Sequence, residues 1–210
     1  EINGCAFIGD SIITATSEGM FYANSNSLIL SDYNNWNVLT GYSNEETYDN
    51  VKVEILTPDF KGQTEAIDVV LNAEPDVFNH NIETVARLYK KVRPQSDWET
   101  TKGLLKYVSQ KGHPAVKSGF MVGLGEEDHE VEETIHTLKE LGVNIVTIGR
   151  YLRPTLNQWP VARYVQEAQY EKWKTMGKDL GFDYVFAGAF VRSSYHAAEA
   201  LAHAQKKAPT

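Results

Sequence analysis

One cysteine, Cys5, is all the thiol this 210-residue chain contains, which excludes an internal disulfide and every metal framework built from several cysteines. Basic charge is scarce too, with 20 Lys and Arg against 28 Asp and Glu for a formal net charge of −8. No basic run is longer than Lys90-Lys91 or Lys206-Lys207. The clustered charge that phosphate-backbone binding needs is missing, and nucleic acid is not an expected partner. Long apolar runs are absent: Ile12-Ile13 and Val69-Val70-Leu71 fall far short of the roughly 20 apolar residues that cross a bilayer. Neither a membrane span nor a membrane partner is expected. The N-terminus lacks the basic, apolar and small-residue series of a secretory signal, so the expected compartment is the cytoplasm. The length suits one ordinary domain, or one plus a fragment.

Two compositions meet near residue 50. Residues 1–50 are rich in Asn and Ser and contain no Arg. Their short apolar runs, Ile12 to Thr16, Gly19 to Ala23 and Ser27 to Leu30, read as strands split by turn formers at Ser17-Glu18-Gly19 and Asn24-Ser25-Asn26, a β-hairpin or meander. With Trp36 the segment faintly resembles one propeller blade, although a lone blade cannot bury its faces. Residues 51–210 alternate strands with amphipathic helices. Strands are expected at Val51 to Leu56, Val77-Phe78, Val116 to Val122, Ile145 to Ile148 and Tyr184 to Val191. Helices are expected from Thr64, from near Glu83, over Trp98 to Gln110, over Glu127 to Leu141 with the stripe Val131, Ile135, Leu138, Leu141, and through Tyr170, Trp173, Met176 and Leu180. Gly112, Gly142 and Gly181 fit the stops of the last three. Repeated strand, helix, strand order implies parallel strands and right-handed crossovers. The expected fold class is α/β, a partial β/α barrel preceded by a short β-rich segment.

In such architectures chemistry collects where the C-terminal ends of the strands converge. Those ends carry Thr57-Pro58-Asp59-Phe60, Asn79-His80-Asn81-Ile82-Glu83, Gly123-Leu124-Gly125-Glu126, Tyr151-Leu152-Arg153-Pro154 and Arg192-Ser193-Ser194-Tyr195-His196. Gly123-Leu124-Gly125 lacks the third glycine of a dinucleotide fingerprint and fails as one. His129, Glu133 and His136 fall on one helix face at metal-like spacing, but the opposite face carries the core stripe, so they read as a solvated surface. Arg153 and Arg163 suit either a substrate carboxylate or phosphate, or surface ion pairs.

Three long strings resemble the lipoyl synthases of the radical S-adenosylmethionine superfamily: Asp76 to Thr84 with Arg87-Leu88-Tyr89, Lys117 to Glu126, and Arg192-Ser193-Ser194-Tyr195. Their order and spacing match over about three quarters of the chain, from about residue 51 to its end. The resemblance implies a radical-S-adenosylmethionine-type partial barrel lacking its first strands. The activity it implies is insertion of two sulfur atoms into an octanoyl chain held on a lipoyl carrier domain or glycine cleavage H-type protein, with S-adenosylmethionine and two 4Fe-4S clusters as cofactors. It places Asn79, Asn81 and Glu83 near the ribose and amino acid portion of S-adenosylmethionine. An amide and a carboxylate there suit hydroxyls and an ammonium; by physics alone, Asn81 as a helix cap with Glu83 in the first turn reads equally well. Gly119, Met121, Gly123 and Glu126 match the pattern that packs a strand edge against adenine, where glycines permit close backbone approach. Ser193 or Ser194 corresponds to a serine ligand on the auxiliary cluster.

The chain departs from that pattern where it matters most. Iron–sulfur clusters need several thiolates, and Cys5 alone supplies one, so neither cluster is expected to assemble and the chain as written is expected to be catalytically incomplete. Arg150, Ala86, Ala189 and Gln158 stand where the resemblance leads one to expect Gln, Pro, Pro and His. Two further readings are a non-catalytic module for S-adenosylmethionine or a lipoyl carrier domain, and a cofactor-free enzyme using His80 with Glu83 or Asp59 as acid and base.

Overall fold

The computed structural model describes the backbone of residues 2–8, 11–16, 19–24 and 37–38, and residues 52–113 and 115–192 in full. Two compact units divide the chain, Glu1–Leu56 and Thr57–Thr210. In the first, β1 (Ile2–Ile8), β2 (Ser11–Thr16), β3 (Gly19–Asn24) and β4 (Asn37–Val38) form a sheet in chain order. All three pairings are antiparallel, with Thr14 opposite both Cys5 and Phe21. The expected strands at 12–16 and 19–23 are present, β1 and β4 are additional, and 27–30 lies outside the described residues.

A second sheet has the order β5 (Glu54–Leu56), β6 (Val77–Asn79), β7 (Val116–Val122), β8 (Ile145–Arg150), β9 (Tyr184–Gly188). The pairs from β6 to β9 are parallel, and α1 (Thr64–Leu71), α2 (Ala86–Val92), α3 (Trp98–Gln110), α4 (Asp128–Glu140) and α5 (Glu167–Asp179) lie between the strands in sequence. This is the expected α/β architecture, a partial β/α barrel. Parallel strands are covered on both faces and so read as near-continuous apolar runs; in β7 only Met121 escapes full burial. Val77, Ala115, Ile145, Phe186 and Val191 form one core cluster under these strands.

Among the helices, α3 and α4 carry local caps. Asp97 caps α3 by accepting the Thr100 N–H at 2.8 Å, and Leu104, Leu105 and Val108 turn inward. A capping box between Glu127 and Glu130 starts α4, whose Val131, Ile135 and Leu138 are fully buried, each worth about 2 kcal/mol of transfer free energy. Gly142 then ends the helix at φ +82°, a left-handed conformation glycine adopts without steric penalty. In α5 the inward face is Tyr170, Trp173 and Gly177; Met176 and Leu180, expected inward, are only half-buried. The reason is packing, since a Cβ on Gly177 would come within 2.5 Å of Val185 and only glycine lets the helix sit this close to β9. The helix expected near Glu83 begins instead at Ala86. The last strand stops at Gly188 and turns there, with the Val191 N–H donating back to the Gly188 carbonyl at 3.2 Å. Among the described residues no helix is long and apolar enough to cross a membrane.

Candidate functional site

The chain leaves β6 at Asn79 and touches β7 again four residues later. The Glu83 N–H donates to the Gly119 carbonyl and the Met121 N–H to the Glu83 carbonyl, both at 2.9 Å, as an isolated parallel bridge. To make it, Glu83 takes φ +67°, which costs a non-glycine residue of order 1 kcal/mol. Glu83 is therefore not in the first turn of a helix, and the cap reading of Asn81 falls with it.

Buried partners hold this excursion. His80 Nδ1 lies 2.9 Å from the Thr57 carbonyl, and Nε2 lies 3.3 Å from Thr101 Oγ1, itself 2.7 Å from the Tyr89 hydroxyl. A carbonyl only accepts, so Nδ1 carries the proton and Nε2 accepts from Thr101. Burial holds the imidazole below its ordinary pKa. Both ring nitrogens are thus spent on internal partners, and the acid–base reading of His80 fails for lack of a free nitrogen. Asp59 is likewise occupied, accepting the Lys61 N–H at 2.9 Å.

A cavity of about 230 Å³ opens at the C-terminal ends of β7 and β8. Asn81 and Glu83 form one wall, Gly119, Phe120 and Met121 a second, and Thr147, Gly149, Arg150 and Leu152 a third, with Val191 and Arg192 closing it. Glycine is required at 119, where a Cβ would collide with Thr147 Oγ1 and come within 3.1 Å of Asn81 Oδ1. The Asn81 Oδ1 atom is buried and has no donor among the described residues. Glu83 meets Arg93 at 3.0 Å; burial raises its carboxyl above the ordinary range, while Arg93 and Asn81 pull it back.

Of the residues singled out beforehand, Asn81, Glu83, Gly119 and Met121 come together here. Asn79 does not line the cavity; it is buried, and its carbonyl accepts the Thr57 N–H at 2.9 Å. Gly123 also lies elsewhere, at φ +106° against the Arg163 carbonyl. Glu126 is fully buried beside it, taking the Gly123 and Leu124 N–H groups at 2.8 Å each and Arg163 at 3.2 Å. Its carboxylate shapes this turn and does not line the cavity. Ser193 and Ser194 lie outside the described residues.

Arg163 also pairs with Asp128 at 2.7 Å, and Arg153 donates to the Gln158 carbonyl at 2.9 Å, so both serve loop structure. His129, Glu133 and His136 are exposed as expected. No group of three or more His, Cys, Asp or Glu among the described residues could hold a metal ion. Thr147 and Gly149 went unrecognised as wall residues. Their signal was the two-residue alternation along β8, with Gly119 pairing Thr147 in register. Arg93 had no local signal, because α2 must end before its side chain returns to Glu83.

Comparison with known proteins places the sequence in a family. Residues 39–138 match the family model of the radical SAM superfamily. Lipoyl synthase from Rubrobacter xylanophilus is 51% identical over 158 residues, 74% of this chain and 49% of that protein. Lipoyl synthase from Chlorobium chlorochromatii is 48% identical over 78% of this chain and 56% of that protein. The mitochondrial lipoyl synthase of Nematostella vectensis is 45% identical over 70% and 51%. The chain thus spans about half the length of the curated relatives it matches.

Proposed function

We propose, from the premise that three quarters of this chain belongs with the lipoyl synthases of the radical SAM superfamily, that it is the part of such an enzyme that holds the adenosine portion of S-adenosylmethionine. The observation that carries this reading is the cradle between Gly119 and Asn81. There a backbone edge free of side chain faces a buried amide oxygen without a donor, and a ribose or adenine donor satisfies such an acceptor. Glu83 suits the ammonium of the amino acid portion, and Met121 an adenine face. Bound there, S-adenosylmethionine would supply the adenosyl group for the family's radical chemistry once a cluster reduced it; these residues would bind and orient it.

The clusters do not fit this chain in the same way. One thiol in the full sequence cannot supply the three or four thiolates a cluster takes, so no sulfur-insertion step is assigned to these residues. Sulfur insertion into a protein-bound octanoyl chain, with a lipoyl carrier domain or H-type protein as partner in the cytoplasm, is proposed for the complete enzyme. Chain boundaries near residues 50 and 51, and Ser193 or Ser194 as a cluster ligand, belong to the same proposal. A non-catalytic module remains the second reading, favoured by a formed cavity in a chain with a single cysteine.

The test is anaerobic reconstitution with iron and sulfide, followed by an assay on an octanoylated carrier. The chain alone should hold less than one stoichiometric cluster and make no lipoyl product. Placing residues 52–210 behind the part of the Rubrobacter relative that this chain does not match should restore both. Lipoylation by the unaltered chain, or a folded chimera that loads clusters yet stays inactive, contradicts the assignment.

A further inference from the structure

We infer that Thr147 is a specificity-determining residue of this cavity: its hydroxyl and the Asn81 amide oxygen form a paired site for the vicinal hydroxyls of a ribonucleoside. The inference rests on the adenosine reading above and deepens it, since no residue of β8 carries a role there.

Strand geometry fixes the face. In the parallel register Gly119 lies opposite Thr147 and Met121 opposite Gly149, and side chains at matched positions of neighbouring strands stand on the same side of a sheet. All four residues line the cavity. A Cβ built on Gly119 would meet Thr147 Oγ1 first, with Asn81 Oδ1 next at 3.1 Å. Both oxygens therefore crowd one point on the cavity side of β7.

Neither oxygen is satisfied there. Asn81 Oδ1 is buried and has no donor among the described residues. The nitrogen end of the same amide favours the ionised Glu83 carboxyl, which leaves the oxygen over. Thr147 is only 3% exposed, and its hydroxyl makes no hydrogen bond among the described residues. Its neighbours along β8, Ile145, Val146 and Ile148, are aliphatic. A valine has the same shape as threonine and would fill the position without the cost of a buried, unbonded hydroxyl. A ligand that bonds to the hydroxyl removes that cost.

The donor pattern selects the ligand. Asn81 Oδ1 only accepts, and Thr147 Oγ1 both accepts and donates. The Glu83 carboxylate, held by Arg93 at 3.0 Å, adds further acceptors. Such a set suits donors on adjacent atoms that can also accept, which vicinal hydroxyls provide. A purine edge offers one amino group beside ring nitrogens that only accept, and matches it less well.

The experiment is calorimetric titration of the full 210-residue chain with adenosine, 2′-deoxyadenosine and 3′-deoxyadenosine. It is repeated for T147V, T147A and T147S, with circular dichroism as the check of folding; T147A deletes the same hydroxyl if T147V does not fold. The parent should bind adenosine about tenfold more tightly than at least one deoxynucleoside, as expected when a buried polar group loses its partner. T147V and T147A should lose that factor toward adenosine and bind the discriminated deoxynucleoside as the parent does. T147S should keep the parent's preference. Equal binding of all three nucleosides by the parent overturns the inference and leaves the adenosine reading standing. So does a preference unchanged in T147V or T147A, a uniform loss toward all three included, or a preference lost in T147S as fully as in T147V. Silence toward all three in the folded parent removes the adenosine reading, and this inference with it.

Discussion

Glu126 and Arg163, thirty-seven residues apart in the chain, meet at 3.2 Å, and through that contact two loops become one structure. The carboxylate gathers the Gly123 and Leu124 amides, while around it Trp159 Nε1 donates to the Leu124 carbonyl and the Ala162 N–H to the Gly123 carbonyl, both at 2.8 Å. The segment after β8 is thereby fastened to the turn after β7.

Removing the anion at that junction should be costly. E126A leaves two buried amides unpaired and should lower stability by about 2–4 kcal/mol, with E126Q nearer half of that. Urea denaturation measures it. A loss under about 0.5 kcal/mol in E126A would mean that the junction adds nothing.

Gly119 and Thr147 should behave as a coupled pair. G119A drives a methyl into Thr147 Oγ1 and should cost about 1–3 kcal/mol through overpacking. T147A removes the obstructing hydroxyl. The double variant should therefore be more stable than the sum of the single effects predicts, by about 0.5 kcal/mol or more. Simple additivity contradicts the close approach of these two positions.

The pH dependence of Glu83 has a definite sign. Burial holds its folded pKa above the ordinary 4.5, so the unfolded chain loses this proton first as the pH rises. The stability penalty grows from the unfolded value upward and is complete above the folded value. E83Q should therefore gain on the parent as the pH rises above the unfolded value. Denaturation curves in which the parent gains on E83Q would refute this.

Glu130 runs the other way. Two hydrogen bonds of 2.7 Å from Arg87 take its carboxyl down to about 2, so its stabilisation is present above the unfolded value and is lost as the pH falls through about 2. In R87A, carbon-detected NMR titration should find the Glu130 carboxyl returned toward its ordinary 4.5. A carboxyl still near 2 in that variant would assign the shift to another group.

What the sequence determined by itself is local or periodic. Apolar runs marked the strands, and the stripes of α3 and α4 with their terminal glycines marked the helices, because these patterns follow from backbone geometry within a few residues. Cysteine count and three motif strings identified the family and the departure from it. Only the tertiary structure decided which side chains face one another. It made Glu126 the clamp of a turn, spent both nitrogens of His80 on Thr57 and Thr101, and brought Arg93 back to Glu83. It also set Thr147 against Gly119. Burial and partnership depend on residues tens of positions apart meeting in space, and no local pattern encodes that meeting.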